Sequence, residues 1–247
     1  MSLIETAQAQ TDVHKFINKA VDRSQHCQRN FDLAREIPQK DIDLMVHAVT
    51  QCPSKQNGAF YEMHFITNRD MIEEVHEHTL GFTTKMDPYE AETNSQVLAN
   101  LLVIFAEHDY IEDMRKEAKT GLSRSSGGSG QLGDNKHYRS DAEAMLAQTG
   151  ELPGDVKEYL EVDKNVAIGI AAGYLNLTCS ILGYRTGCCQ CFDVDAVQRA
   201  ADLPTKPILL MGIGYNNPKM NRRRHQVRPD FMFPTKKKQE IKVAFWD

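Results

Sequence analysis

Cys52-Pro53-Ser54-Lys55-Gln56-Asn57-Gly58 stands between an amphipathic stretch of helical period and a short apolar run. Pro, Ser, Asn and Gly together make a turn. At the end of a helix such a turn presents backbone N–H groups and short polar side chains. That combination suits hydrogen bonding to a flat ligand with polar edges better than it suits core packing. An isolated Pro-Ser-x-x-Asn is an ordinary turn. The weighing changes because of three other segments, at residues 25–31, 183–192 and 221–224.

Working outward, residues 10–22 place Val13, Phe16, Ile17, Ala20 and Val21 on one helical stripe, and residues 39–51 do the same with Ile42, Met45, Ala48 and Val49. A strand is expected at 63–67, directly after the turn, and Asn68 offers an N-cap to a helix over 70–79. The continuous apolar run 101–105 fits a strand buried on both faces. Residues 163–182 predict a long helix that Gly183 ends as its C′ residue. Its small residues Ala167, Gly169, Ala171, Ala172 and Gly173 suit a central or subunit-interface helix, with a merely buried helix as the alternative. Asp193 caps a short helix running to Ala201, Pro204 follows its end, and 208–213 reads as another buried strand. Alternating helices and apolar strands give an α+β or α/β class in one domain spanning 1–247.

Residues 106–160 differ in composition. They are rich in charge, and 121–135 is crowded with Gly and Ser, so a mobile insertion is expected there. A lid over a site and a plain surface insertion are equally open readings. The tail 229–247 carries Phe231, Phe233, Phe245 and Trp246, which either dock on a subunit surface or leave the segment disordered.

Composition narrows the function classes. A chain of 247 residues with 41% hydrophobic and 26% charged content is that of a globular protein with one sizeable core. A net charge of −5 argues against a general nucleic-acid binder. No uninterrupted apolar run approaches the roughly 18–20 residues of a membrane span. The start lacks a basic stretch followed by an apolar one, so no export signal is expected and the compartment reading is cytoplasm. The six cysteines are then read as free thiols. Neither a phosphate-binding P-loop nor a glycine-rich dinucleotide motif occurs.

In the order and spacing of the four segments, across roughly 13–105 and 163–228, the chain resembles the FMN-dependent nitroreductase family. The resemblance implies a mixed sheet surrounded by helices, in an intertwined homodimer with FMN at the subunit interface. In Gln25-His26-Cys27-Gln28-Arg29-Asn30-Phe31, Arg29 matches the cation that lies against the flavin pyrimidine edge. Reduced flavin carries negative charge near N1 and O2, and a fixed cation there stabilises it. His26 and Cys27 match positions near the phosphate and ribityl chain. Gln25 stands where the family commonly has Arg, and Cys27 where it has Ser. In the turn, Ser54, Lys55 and Asn57 match residues that bond the flavin from the partner subunit, with Pro53 shaping the backbone. Ala59-Phe60-Tyr61 replaces the frequent Gln-Pro-Trp that follows.

In the third segment the resemblance implies that the backbone at Cys188, Cys189, Gln190 and Cys191 passes the flavin near N5, with Gln190 where Glu is frequent. The three thiols are read first as small space-filling residues; zinc would need ligands that C-C-x-C does not supply, and a redox-active thiol is a third option. Arg222 and Arg224 match the basic pair that holds the FMN phosphate, with Arg223 and Arg228 as neighbouring alternatives. Asn94, Ser95 and Gln96 match a further contact region that lacks the usual Lys. The implied activity is ping-pong hydride transfer from NAD(P)H through flavin N5 to a small electron-poor acceptor, a nitroaromatic or quinone. The family's own alternative is another flavin chemistry such as reductive dehalogenation, and a flavin- or thiol-based redox sensor is the rival from a different class. No residue is assigned as a catalytic acid or base, because the protein's part is to position reactants and stabilise flavin charge.

Overall fold

Leu101–Glu107 carries no charge before its last residue, and six of its seven residues are fully buried. The computed structural model describes residues 3–55, 61–80, 93–108, 149, 154–235 and 238–246. Along them run α1 (Leu3–Ser24), α2 (Gln39–Thr50), β1 (Tyr61–Ile66), α3 (Arg69–Glu77), β2 (Leu101–Glu107), α4 (Gly154–Leu182), β3 (Arg185–Cys189), α5 (Val194–Ala200) and β4 (Pro207–Gly214). The strands lie in the order β1-β2-β4-β3, and every neighbouring pair is antiparallel. The class is therefore α+β. The expected mixture of strand directions is not seen among the described strands.

Strand β2 is apolar throughout because it feeds two cores. Side chains alternate across a strand, so Leu101, Val103 and Phe105 join Ile42, Met45 and Val49 of α2 and Ile168, Ala171 and Leu175 of α4. Leu102 and Ile104 face the other way, onto Ile72 and Val75 of α3 and Val197 of α5. Burying one such side chain contributes about 1.5–3 kcal/mol, so the central strand anchors both layers.

The local signals act as expected. Asn68 accepts from Met71 N at 3.1 Å, and Asp193 accepts from Ala196 N at 2.9 Å. Gly183 adopts φ +96°, and Tyr184 N returns to Cys179 O at 2.8 Å to close α4. Helix α4 begins at Gly154, earlier than the predicted 163, so the expected insertion 106–160 gives residues to β2 and α4 at its ends. The rest of that insertion lies outside the described residues. Strand β3 was not expected, since Gly and Cys carry little strand preference. Within α4, Glu161–Leu182 has a mean hydropathy of 1.5 and is long and apolar enough to cross a membrane. It is not an uninterrupted apolar run, because Glu161, Asp163, Lys164, Asn165, Asn176, Thr178 and Ser180 fall within it. One side of α4 packs on α1, α2 and the sheet, which accounts for that part of its apolarity.

Candidate functional site

Beyond the end of α1 the chain runs along the open edge of β3. Gln28 N donates to Thr186 O (2.8 Å), Arg29 N to Arg222 O (3.0 Å) and Asp32 N to Tyr215 O (2.9 Å). Residues 28–32 are thus threaded between β3 and the turn after β4. Gln28, Asn30 and Phe31 are buried, while His26 and Cys27 are exposed. Residues 94–100 lie flat on the same sheet face. They come so close that a Cβ on Gly212 would overlap the Gln96 carbonyl oxygen, while the 28–32 segment comes so close that one on Gly187 would overlap the Gln28 carbonyl oxygen. Asn100 Nδ2 donates to Asp32 O (2.8 Å) and Arg35 O (2.6 Å), tying this layer to the Arg29 segment.

Arg29 is the centre of the arrangement. Its carbonyl accepts from Ser95 Oγ (2.8 Å), and its guanidinium lies 4.6 Å from the centre of the Phe233 ring. Burial lowers its pKa, and the neighbouring Arg222 and Arg223 act in the same direction, against the thiols of Cys27 and Cys189. Arginine nevertheless stays charged. Beside it, Asn94 Nδ2 donates to Gln96 Oε1 (2.8 Å) and Cys189 Sγ (3.2 Å). The result is one partly buried cation framed by neutral amides, a thiol and an aromatic ring. Such a frame suits a ligand with a delocalised negative edge.

Phe233 is held by a polar hub that the sequence did not signal. Its N–H bonds Arg223 O (3.0 Å), and the fully buried His225 ring stacks on its ring at 5.8 Å. His225 Nδ1 accepts from Arg228 N (3.1 Å), so its proton sits on Nε2 and is donated to Thr93 O (3.0 Å). Thr93 Oγ1 in turn meets His76 Nε2 at 2.9 Å. Burial, then His225, pushes His76 down to about 4. Buried histidines within mixed sequence carry no periodic signature that would mark them.

The sequence pattern of the nitroreductase family matches residues 23–215, from the end of α1 through β4 and into the turn behind it. The chain belongs to the nitroreductase family. That family's cofactor is FMN. Among solved structures, this nitroreductase chain is similar to a candidate NAD(P)H:FMN oxidoreductase of Staphylococcus epidermidis at 18% identity and TM-score 0.56, over 88% of this chain and 95% of the other. A candidate nitroreductase of Exiguobacterium sibiricum in complex with FMN is similar at 15% identity and TM-score 0.55, over 83% and 92%. The nitroreductase family protein of Streptococcus pneumoniae is similar at 18% and 0.54, over 81% and 90%. A search of curated proteins gave no match.

The sequence segments of this nitroreductase fall into two groups in space. His26, Cys27, Arg29, Cys188, Cys189, Gln190, Cys191 and Arg222 gather around the β3 edge. Arg222 Nη1 donates to Cys27 O (3.4 Å), whereas the Arg224 guanidinium turns away to Pro229 O and Arg223 reaches Phe233 O (2.8 Å). Pro53, Ser54 and Lys55 lie at the other end. Lys55 Nζ pairs with Asp163 Oδ2 at 2.9 Å, near the start of α4, while Asn176 near its end bonds Thr186 of β3. Those two positions on α4 are about 20 Å apart at about 1.5 Å per residue. Asn57 lies outside the described residues.

The thiols divide by exposure: Cys27, Cys188 and Cys191 are exposed and Cys189 is buried. Burial pushes Cys189 up to about 11. Cys188 reaches solvent, yet its thiol is closely surrounded, and burial followed by Cys27 and Cys189 pushes it up to about 12. A redox-active thiol needs the opposite shift. Among the described residues no group of three or more His, Cys, Asp or Glu could hold a metal ion.

Proposed function

We propose that the chain is a cytoplasmic FMN-dependent oxidoreductase that takes hydride from NAD(P)H and passes it to a small electron-poor acceptor, a nitroaromatic or quinone. The observation that carries this reading is the placement of Arg29, half-buried, backed by Ser95 and Phe233 and set beside the β3 edge. When bound, FMN would supply reversible hydride chemistry at N5. Arg29 would hold the pyrimidine edge and stabilise its negative charge, a preorganised cation costing no reorganisation during the reaction. The backbone at Cys188–Cys191 would run past N5, and Arg222 with His26 would face the phosphate. The donor set fits such a ligand: cations at both ends and neutral groups between.

A second copy of the chain completes the site in this reading. Lys55 is paired with Asp163, about 20 Å along α4 from Asn176 beside β3, so in this reading Ser54 and Lys55 would serve the partner's flavin. The apolar faces of α1 and α4 support the same assembly. Val13, Phe16, Ile17 and Val21 are exposed on one, and Val162, Val166 and Tyr174 on the other. Exposed apolar side chains grouped on one helix face are a mark of interaction surfaces. Phe245 and Trp246, both almost fully exposed, would dock on the partner's surface.

The test is an anaerobic absorbance titration of FMN-supplemented protein with NADH and NADPH in separate runs. Bleaching of the bound-flavin band supports the reductive half-reaction, and an acceptor added afterwards should restore it. Bound flavin that neither nucleotide reduces would redirect the reading to another flavin chemistry. Protein that binds no flavin would sink it.

A further inference from the structure

Two guanidinium groups grip the short link that follows α1. Arg185, the first residue of β3, donates from Nη1 to the carbonyl of Arg23 (2.8 Å), and Arg222 donates from Nη1 to the carbonyl of Cys27 (3.4 Å). His26 stands exposed between those two carbonyls. A guanidinium has five N–H donors, so each keeps most of its fork free. Gln25 adds nothing to the charge: its Nε2 folds back to Asp22 O at 3.0 Å.

This is a convergence of like charges. Arg185 is disfavoured as a cation by burial, then by Arg23 and Arg222, and His26 by burial, then by Arg222, Lys238 and Arg185. Among the described residues the ion pairs lie elsewhere, at Lys55, His64, His108, Lys164 and Arg228, and none includes Arg185, Arg222 or His26. Arg23 Nη1 bonds Ser180 O (2.8 Å) at the C-terminal end of α4, where a cation also meets the negative end of the helix dipole. Clustered cations repel unless an anion sits among them, and planar guanidinium forks match phosphate oxygens.

We propose that Arg185 is a further phosphate-binding residue, forming with Arg222 and His26 a site for a phosphate monoester and supplying the charge that Gln25 lacks. The inference rests on the flavin reading for the identity of that ester, the terminal group of FMN. Arg185 reaches it from the edge strand whose next residues border the rest of the site, so one strand positions both ends of the ligand.

Riboflavin lacks the phosphate and is the decisive probe. Flavin-fluorescence titrations of the full-length apoprotein would compare FMN with riboflavin for the wild type, Arg185→Gln and Arg185→Lys. Gln keeps a donor for the Arg23 carbonyl, and Lys keeps the charge. The expected result is a loss of about 10-fold or more in FMN affinity for Arg185→Gln, as for a charged hydrogen bond, with riboflavin affinity unchanged and partial rescue by Lys. Equal weakening of both flavins would make Arg185 a structural residue and overturn the proposal, as would an unchanged FMN-to-riboflavin ratio. Should the wild type bind neither flavin, titration with inorganic pyrophosphate separates the two ideas. Binding lost in Arg185→Gln would support the anion site while removing the flavin, and no binding would overturn both.

Discussion

The Phe233 ring faces the Arg29 guanidinium at 4.6 Å, across two hundred residues of chain. Phe233 is itself almost fully buried, against His225 and Phe231. The segment after β4 therefore fixes the direction of a cation from the segment after α1. A cation–π contact of this kind contributes about 0.5–2 kcal/mol depending on desolvation.

Removing the ring while keeping the bulk tests that coupling. Phe233→Leu should fold, with a modest loss of stability of about 1 kcal/mol, and should weaken FMN binding several-fold. Phe233→Ala should lose about 3–5 kcal/mol through the cavity it leaves. Thermal unfolding and flavin titration on the same samples give both numbers. Wild-type flavin affinity in Phe233→Leu would show that Arg29 is held by other contacts.

Gln96 of the 94–100 layer lies directly on the backbone at Gly212, and the Gln28 carbonyl on that at Gly187, so these positions tolerate no Cβ. Gly212→Ala is expected to destabilise by about 3 kcal/mol or more, because backbone rather than a flexible side chain must move. Chemical denaturation of the variant beside the wild type should show a lowered midpoint, and an unchanged midpoint would mean that the layer shifts freely.

Acid should loosen the hub behind Phe233. His76 is held neutral, at about 4 against an ordinary value near 6.5. Between those two values the unfolded chain binds the proton more readily than the folded one, so stability rises with pH. The contribution is complete above about pH 6.5 and is lost progressively as pH falls toward about 4, on the order of 3 kcal/mol in all. Urea midpoints measured down this range should fall in the wild type and fall less in His76→Gln. Parallel pH profiles for the two proteins would assign the acid sensitivity to other groups.

The thiols near the site should react slowly. With Cys189 at about 11 and Cys188 at about 12, almost none of either is thiolate near neutrality. Iodoacetamide modification followed by peptide mass spectrometry should show Cys188 and Cys189 labelled more slowly than free cysteine, with the rate climbing steeply in alkali. Rapid labelling near neutrality would reopen a redox role for this cluster.

How legible the site was differs residue by residue. Arg29 and the turn at Pro53 and Ser54 stand out in the sequence because their residue types and spacing resemble a family. The caps at Asn68 and Asp193 and the stop at Gly183 were found because they act within a few residues. Arg224 and Arg222 could not be separated in sequence, two positions apart in a run of arginines. Only the folded chain turns Arg224 toward Pro229 and Arg222 toward Cys27. Arg185 looked like any surface arginine until β3 brought it to the end of α1.

By itself the sequence determined what depends on neighbours along the chain: helix stripes, caps, the doubly buried strand at 101–105 and the family these segments belong to. The tertiary structure decided which cations meet, which ring covers Arg29, and that Lys55 stands at the far end of α4 from the rest of the site. Hydrophobic period and capping are local forces, written in adjacent residues. Charge convergence and ring stacking depend on distances set by sheet order, which brings residues 29, 185, 222 and 233 together from opposite ends of the chain.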